Sequence, residues 1–159
     1  MRPVLAYAYL LILSLWVGGM AIFTFVVTPA IFRSYSRDKA GEIVGKLFPV
    51  YFPSLLALSL LALLLFLLLR RSDASAVVAR TCLALLLAAV LANSYVTFKL
   101  HPDAVRIKQQ VATFERAAPD SPARKEFRRL HAVSSVLNLF VLLDGVVLLA
   151  LSRHLGRNG

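Results

Sequence analysis

Four stretches of this chain are apolar for longer than the helices of a soluble core need to be. They run from about Val4 to Ile31, Pro53 to Leu69, Ala76 to Phe98 and Leu130 to Leu151. A helix needs about 20 apolar residues to cross the hydrocarbon of a bilayer. Lipid offers no partner to a backbone N–H or C=O, so a spanning run of this length is expected as a helix. Composition agrees, with 59% apolar and 16% charged residues, against about half and a quarter in soluble domains. The expectation is an all-α integral membrane four-helix bundle, one domain over residues 1–159. No repeat of fixed short period is visible. The first run is too long for the apolar region of a signal peptide, and no small-x-small cleavage site closes it, so it reads as a retained helix. The single Cys82 excludes an intramolecular disulfide.

The connections carry their own patterns. Between the first two spans, "SYSRDKAGEIVGKLFPVYFP" offers Ser36 as a cap and Ala40, Ile43, Val44 and Leu47 on one helical face. A separate interfacial helix over about 37–47 is expected, lying on the headgroups, with Pro49 and Pro53 redirecting the chain into the second span. "RRSDAS" is a tight turn with Asp73 as a cap. Between the third and fourth spans, Pro102 stands near a helix start, and Ala104, Ile107, Val111 and Phe114 recur at three-four spacing. The chain turns at Pro119 and restarts with Ser121 as cap and Pro122 in the first turn. Helices three and four are therefore expected to extend into an extramembrane helical hairpin over about 102–129.

A net charge of +10 suggests nucleic acid in a soluble protein. Here no recognised nucleic-acid module is present, and the charge reads as loop Lys and Arg facing anionic lipid headgroups. Four spans put both termini on one side. The opposite side carries twice as many Lys and Arg, including Arg33, Arg37 and Lys39. By that count the interfacial helix and hairpin face the cytoplasm, across the inner or plasma membrane if the chain is bacterial.

Polar residues inside the spans are the candidate functional groups. Asp144 lies in "LLDGVV", well within the fourth span. An acid there is costly toward lipid and is expected to face protein or water. Held dry, a carboxyl can stay neutral and donate a hydrogen bond. Gly145 lets a neighbouring helix approach, and Ser14 and Thr81, at the same level, are candidate partners. Asn93 and Asn138 read as interhelical hydrogen-bonding residues, and Gly18 and Gly19 as points of close helix approach. Thr24 and Thr28 read as bonding to their own helix backbone. His101 and His131 bracket the hairpin at one membrane face. Two imidazoles there suit copper, zinc or haem, although two His without further ligands make a thin set and interfacial caps are the plainer reading.

"LWVGGMAIFTFVVTPAIFR", "GKLFPVYF", "NSYVTFKLHPDA" and "FRRLHAVSSVLNLFVLLDG" together resemble the transmembrane protein 205 family, whose bacterial members are described as a domain of unknown function. The resemblance implies a four-helix membrane protein without established enzymatic activity, and handling or export of soft metal compounds. It singles out Lys46, Phe48, Pro49 and Tyr51, Asn93 and Pro102, and His131, Asn138 and Gly145. His101 and Asp144 depart from the family's pattern, with an acid and an amide expected at those places.

Three functions follow as expectations. The first is handling, tolerance or export of metal or cationic compounds, with Asp144, Asn138, Asn93, Ser14 and Thr81 as an intramembrane polar site. The second is a structural or adaptor role, the basic hairpin meeting a protein partner or lipid. The third is a haem- or copper-binding protein using His101 and His131, although no cofactor is expected outright. No Ser-His-Asp arrangement, metalloprotease motif or phosphate loop appears, so an enzyme is disfavoured. Four short helices leave little room for a solute path, and transport would call for a homo-oligomer.

Overall fold

The computed structural model describes residues 2–69, 76–109 and 121–155. Those residues are almost entirely helical and form four long rods. The first comprises α1 (Arg2–Ile22), a π-helical turn (Phe23–Val27) and α2 (Thr28–Ser34). The second is α3 (Arg37–Leu69). The third comprises α4 (Ala76–Tyr95), a second π-helical turn (Val96–Leu100) and α5 (His101–Gln109). The fourth is α6 (Pro122–Leu155). All four are long and apolar enough to cross a membrane, as the apolar runs require. The outward faces carry Leu11, Leu15, Phe25, Leu64, Leu91, Phe98 and Leu143 in the open, the surface expected to meet lipid.

Each rod packs on two neighbours: α1 on α3 and α6, and α4 on α3 and α6. The core along the bundle axis contains Tyr9, Leu13, Trp16 and Met20 of α1, Phe66 of α3, Cys82 and Leu86 of α4, and Leu148 of α6. Trp16 is fully buried, and its indole N–H finds a weak acceptor one turn on, Met20 Sδ at 3.1 Å.

The first and third rods repeat one another. Tyr9, Leu13, Trp16 and Met20 are buried at the same spacing as Cys82, Leu86, Ala89 and Asn93. Thr24, Phe25, Pro29 and Arg33 recur in order and spacing as Thr97, Phe98, Pro102 and Arg106. Each π turn ends two residues before the proline. Proline lacks an N–H, and its ring collides with the carbonyl four residues earlier. The wider turn, with Thr28 N–H donating to Phe23 O and His101 N–H to Val96 O, absorbs that mismatch without breaking the rod. The correspondence escaped the search for a short period because it occurs once, between whole spans.

Two expectations are corrected here. Residues 37–47 do not form a separate helix. They are the first turns of α3, which runs through Pro49 and Pro53 without interruption. Prolines inside a membrane bundle are tolerated because the remaining backbone has no better partner than the helix itself. Gly18 and Gly19 mediate no close helix approach, since an added Cβ would meet nothing within 4 Å at either. Close approach occurs instead at Gly145, where a Cβ would stand 2.7 Å from Val17 Cγ2.

Ser36 and Ser121 start α3 and α6 through their carbonyls, accepting from Ala40 N–H at 2.8 Å and Lys125 N–H at 3.1 Å. The Ser121 hydroxyl makes no bond. Beyond the apolar stretches, α5 packs against α6. Asp73, Val111, Phe114 and Pro119 lie outside the described residues, so the expected turn and the tip of the expected hairpin do as well.

Candidate functional site

Polar side chains of several rods meet toward the helix ends remote from the termini. The centre of that region is Asn138 on α6. Tyr51 O–H of α3 donates to Asn138 Oδ1 at 2.9 Å, and Asn138 Nδ2 donates to Thr24 Oγ1 of the first π turn at 2.8 Å. One amide thus ties three rods together. Thr24, expected to bond to its own backbone, is an interhelical acceptor instead. Its π turn also presents Phe23, which stacks on Tyr51 with centroids 4.1 Å apart. Asn93 is buried on α4 and reaches Leu55 O at a long 3.5 Å. Asn93 and Asn138 both line a void of about 10 Å³, close to the volume one water needs.

Beside this bridge lies a cleft of about 80 Å³ between α3, α5 and α6. His101 and His131 both line it, with Lys108, Ser134 and the rings of Phe48, Phe52 and Phe127. His101 stands against Phe48 and Phe52, with ring centroids 5.9 Å and 5.4 Å away. His131 is exposed and stacks parallel to Phe127 at 6.4 Å. Lys108 reaches across from α5 and donates to Gly41 O at 2.7 Å. Gly41 and Gly45, one turn apart, leave the room for it: a Cβ at Gly45 would lie 3.4 Å from the ammonium. Lys108, Gly41, Gly45 and Phe52 were missed by the sequence reading. For the glycines, the signal in the sequence is the small-x-x-x-small spacing of "GEIVG", which is interleaved with the apolar face of the same segment.

Asp144 is elsewhere. It is buried at 4% exposure on α6, and neither of its oxygens has a hydrogen-bond partner among the described residues. Ser14 and Thr81, its candidate partners, are both exposed. Each sits on the outer side of its own helix, so neither turns toward the acid. The group that does lie within electrostatic reach is Tyr9, fully buried and with an unpartnered hydroxyl of its own. Asp144 lines neither the cleft nor the void. The five residues expected to form one intramembrane polar site therefore separate: Asn93 and Asn138 share a void, Asp144 is buried in the core apart from them, and Ser14 and Thr81 face outward. Among the described residues no three His, Cys, Asp or Glu side chains come together in a group suited to a metal ion.

Fold and site together define a small polytopic helical membrane protein with a mixed aromatic and basic cleft near one end of its bundle. The chain belongs to the family described as Domain of unknown function (DUF4149), whose profile matches residues 11–113. That match begins partway along α1, takes in the second and third rods and ends before α6. A protein of Aquifex aeolicus (strain VF5), described as an uncharacterized protein, is 44% identical over 43 residues, or 27% of this chain and 33% of that one. The matched segment thus spans about a third of the relative's length. No solved structure matches. Nothing in these comparisons links the chain to the transmembrane protein 205 family.

Proposed function

We propose that this chain is a membrane-embedded binding protein that holds a small ligand in the cleft between α3, α5 and α6. The carrying observation is the lining, where aromatic rings, two imidazoles and an ammonium face one space. Sites of this composition, an apolar wall with a few polar groups, recur where proteins hold small molecules. The cleft belongs to the part of the bundle where α5 and the first turns of α6 run on beyond the apolar stretches. That part stands at or above the headgroups, on the side richer in Lys and Arg, which on charge grounds is cytoplasmic.

Filling the cleft tests the reading. Ser134→Trp is expected to strip co-purifying small molecules from the protein in native mass spectrometry, with helix content and unfolding temperature unchanged. Identical adducts on the filled and unfilled proteins would defeat it.

A second reading keeps the metal-handling role, with copper or haem at His101 and His131, and the resemblance to the transmembrane protein 205 family stands behind it. Its favouring observation is that both imidazoles line the same cleft. Its difficulty is Lys108, a cation in the space a metal ion would enter. Stoichiometric metal or a Soret band in the purified protein, lost together in His101→Ala and His131→Ala, would establish it. Export of cationic compounds through Asp144 is weaker still, because the acid does not line the cleft. The adaptor role depends on a hairpin tip outside the described residues.

A further inference from the structure

We propose that the ligand of the cleft is an anionic amphiphile, with a phosphate or carboxylate head at Lys108 and an apolar chain against Phe48 and Phe52. The proposal rests on the cleft being a binding site and names what it takes.

Lys108 carries the argument. Its ammonium is partly buried and has three protons to donate. One goes to Gly41 O at 2.7 Å. No carboxylate pairs with it among the described residues. Two nearby acids are occupied: Asp103 by Lys99 at 3.0 Å and Arg106 at 2.8 Å, and Glu42 by Lys39 at 3.1 Å and Lys46 at 2.7 Å. A half-buried ammonium at the wall of an apolar cleft, with no carboxylate paired to it among the described residues, is suited to completion by an anion. Lys39, Lys46 and Lys99, by contrast, stay exposed and pair with acids close by in sequence.

The surroundings narrow the class further. Gly41 and Gly45 leave room for the ammonium against the α3 backbone, and the lysine also lines the cleft. His101, His131 and Ser134 supply further hydrogen-bonding groups around the same space. Phe48 and Phe52 stack at 4.9 Å and form a continuous apolar wall, suited to a hydrocarbon chain and of no use to a free inorganic ion. At about 80 Å³ the cleft holds a head and the start of a chain, leaving the rest to run along the bundle among lipid. A cation would meet Lys108 first and is repelled. An acidic phospholipid and a free long-chain carboxylate share this chemistry, and inorganic phosphate shares only the head.

The test uses the full chain in nanodiscs. Phosphatidylcholine alone is compared with phosphatidylcholine containing phosphatidylglycerol, dodecanoate, inorganic phosphate or dodecyltrimethylammonium, with retention measured by native mass spectrometry. Phosphatidylglycerol or dodecanoate is expected to be retained. Lys108→Gln should weaken that retention about ten- to a hundredfold, the effect of one charge-assisted hydrogen bond, whereas Lys108→Arg should keep most of it. Phosphatidylglycerol binding identifies a lipid as the source, and dodecanoate binding without it identifies a free amphiphile; either supports the proposal. Phosphate binding as tightly as the tailed probes would overturn the amphiphile. Equal retention of dodecyltrimethylammonium, or indifference to Lys108→Gln, would overturn the anion while leaving the cleft as a binding site. If no probe is retained and Ser134→Trp changes no adduct, both readings fall.

Discussion

The two ends of this bundle are held together differently. Toward the termini, α1, α4 and α6 meet through Tyr9, Leu13, Trp16, Cys82, Leu86 and Leu148, all in one apolar cluster. Two polar groups there, the Tyr9 hydroxyl and the Asp144 carboxyl, are buried without partners among the described residues, and the buried Ser152 hydroxyl bonds only within its own helix, to Leu149 O. Toward the other end, Tyr51, Asn138 and Thr24 bond across three rods, and Lys108 bonds across two. That end is not fully satisfied either, since the Thr97 hydroxyl is unpartnered, but its helices are registered by directional bonds. One end is set by shape and the other by hydrogen bonding. Where shape dominates, a polar group is dispensable to the fold; where bonds dominate, removing one member strands the others.

The largest expected effect is at the shape-held end. Trp16→Ala opens a cavity in a fully buried position and should cost about 3 kcal/mol or more in reversible unfolding in mixed micelles. Next is Gly145→Val, which drives a side chain into Val17 and should cost about 1–3 kcal/mol, by the usual effect of overpacking. Val17→Ala should recover part of that loss, and failure to do so would remove the steric explanation.

At the bond-held end, Asn138→Leu should cost about 1 kcal/mol, the scale of interhelical hydrogen bonds in membranes. The measurement that sharpens the comparison is a cycle with Tyr51→Phe: the two losses should be less than additive, because they break the same bridge. Strict additivity would mean that the bond from Tyr51 contributes nothing.

The smallest effect is expected at Asp144, although it is buried in the core. Asp144→Asn should change unfolding by about 1 kcal/mol or less, because no bond to the carboxyl is lost. Asp144→Leu should raise stability, since an unpartnered buried polar group is replaced by an apolar one. A marked loss in both variants would show that Asp144 is part of the construction after all, and the contrast between the two ends would fail.

Four membrane helices were determined by the sequence alone, because in lipid a backbone can satisfy itself only within a helix, and four runs long enough to do so are present. The sequence also determined that Asp144 would avoid lipid, since the cost of exposing an acid to hydrocarbon does not depend on which neighbour it meets. Tertiary structure decided the rest. Periodicity assigns a residue to a face but does not say which rod that face meets. Asn138 therefore read as an interhelical residue without its partners, which come from positions far away in the chain. Pro49 and Pro53 read as breaks because proline opposes helix in water, yet the bundle carries α3 straight through them. Ser14 and Thr81 read as partners of Asp144 because they share its depth, but depth leaves rotation about each helix free, and packing turned both outward. Lys108 shows the same limit: one cation among many on a basic side, it became part of a cleft only when its side chain reached from α5 to Gly41 of α3.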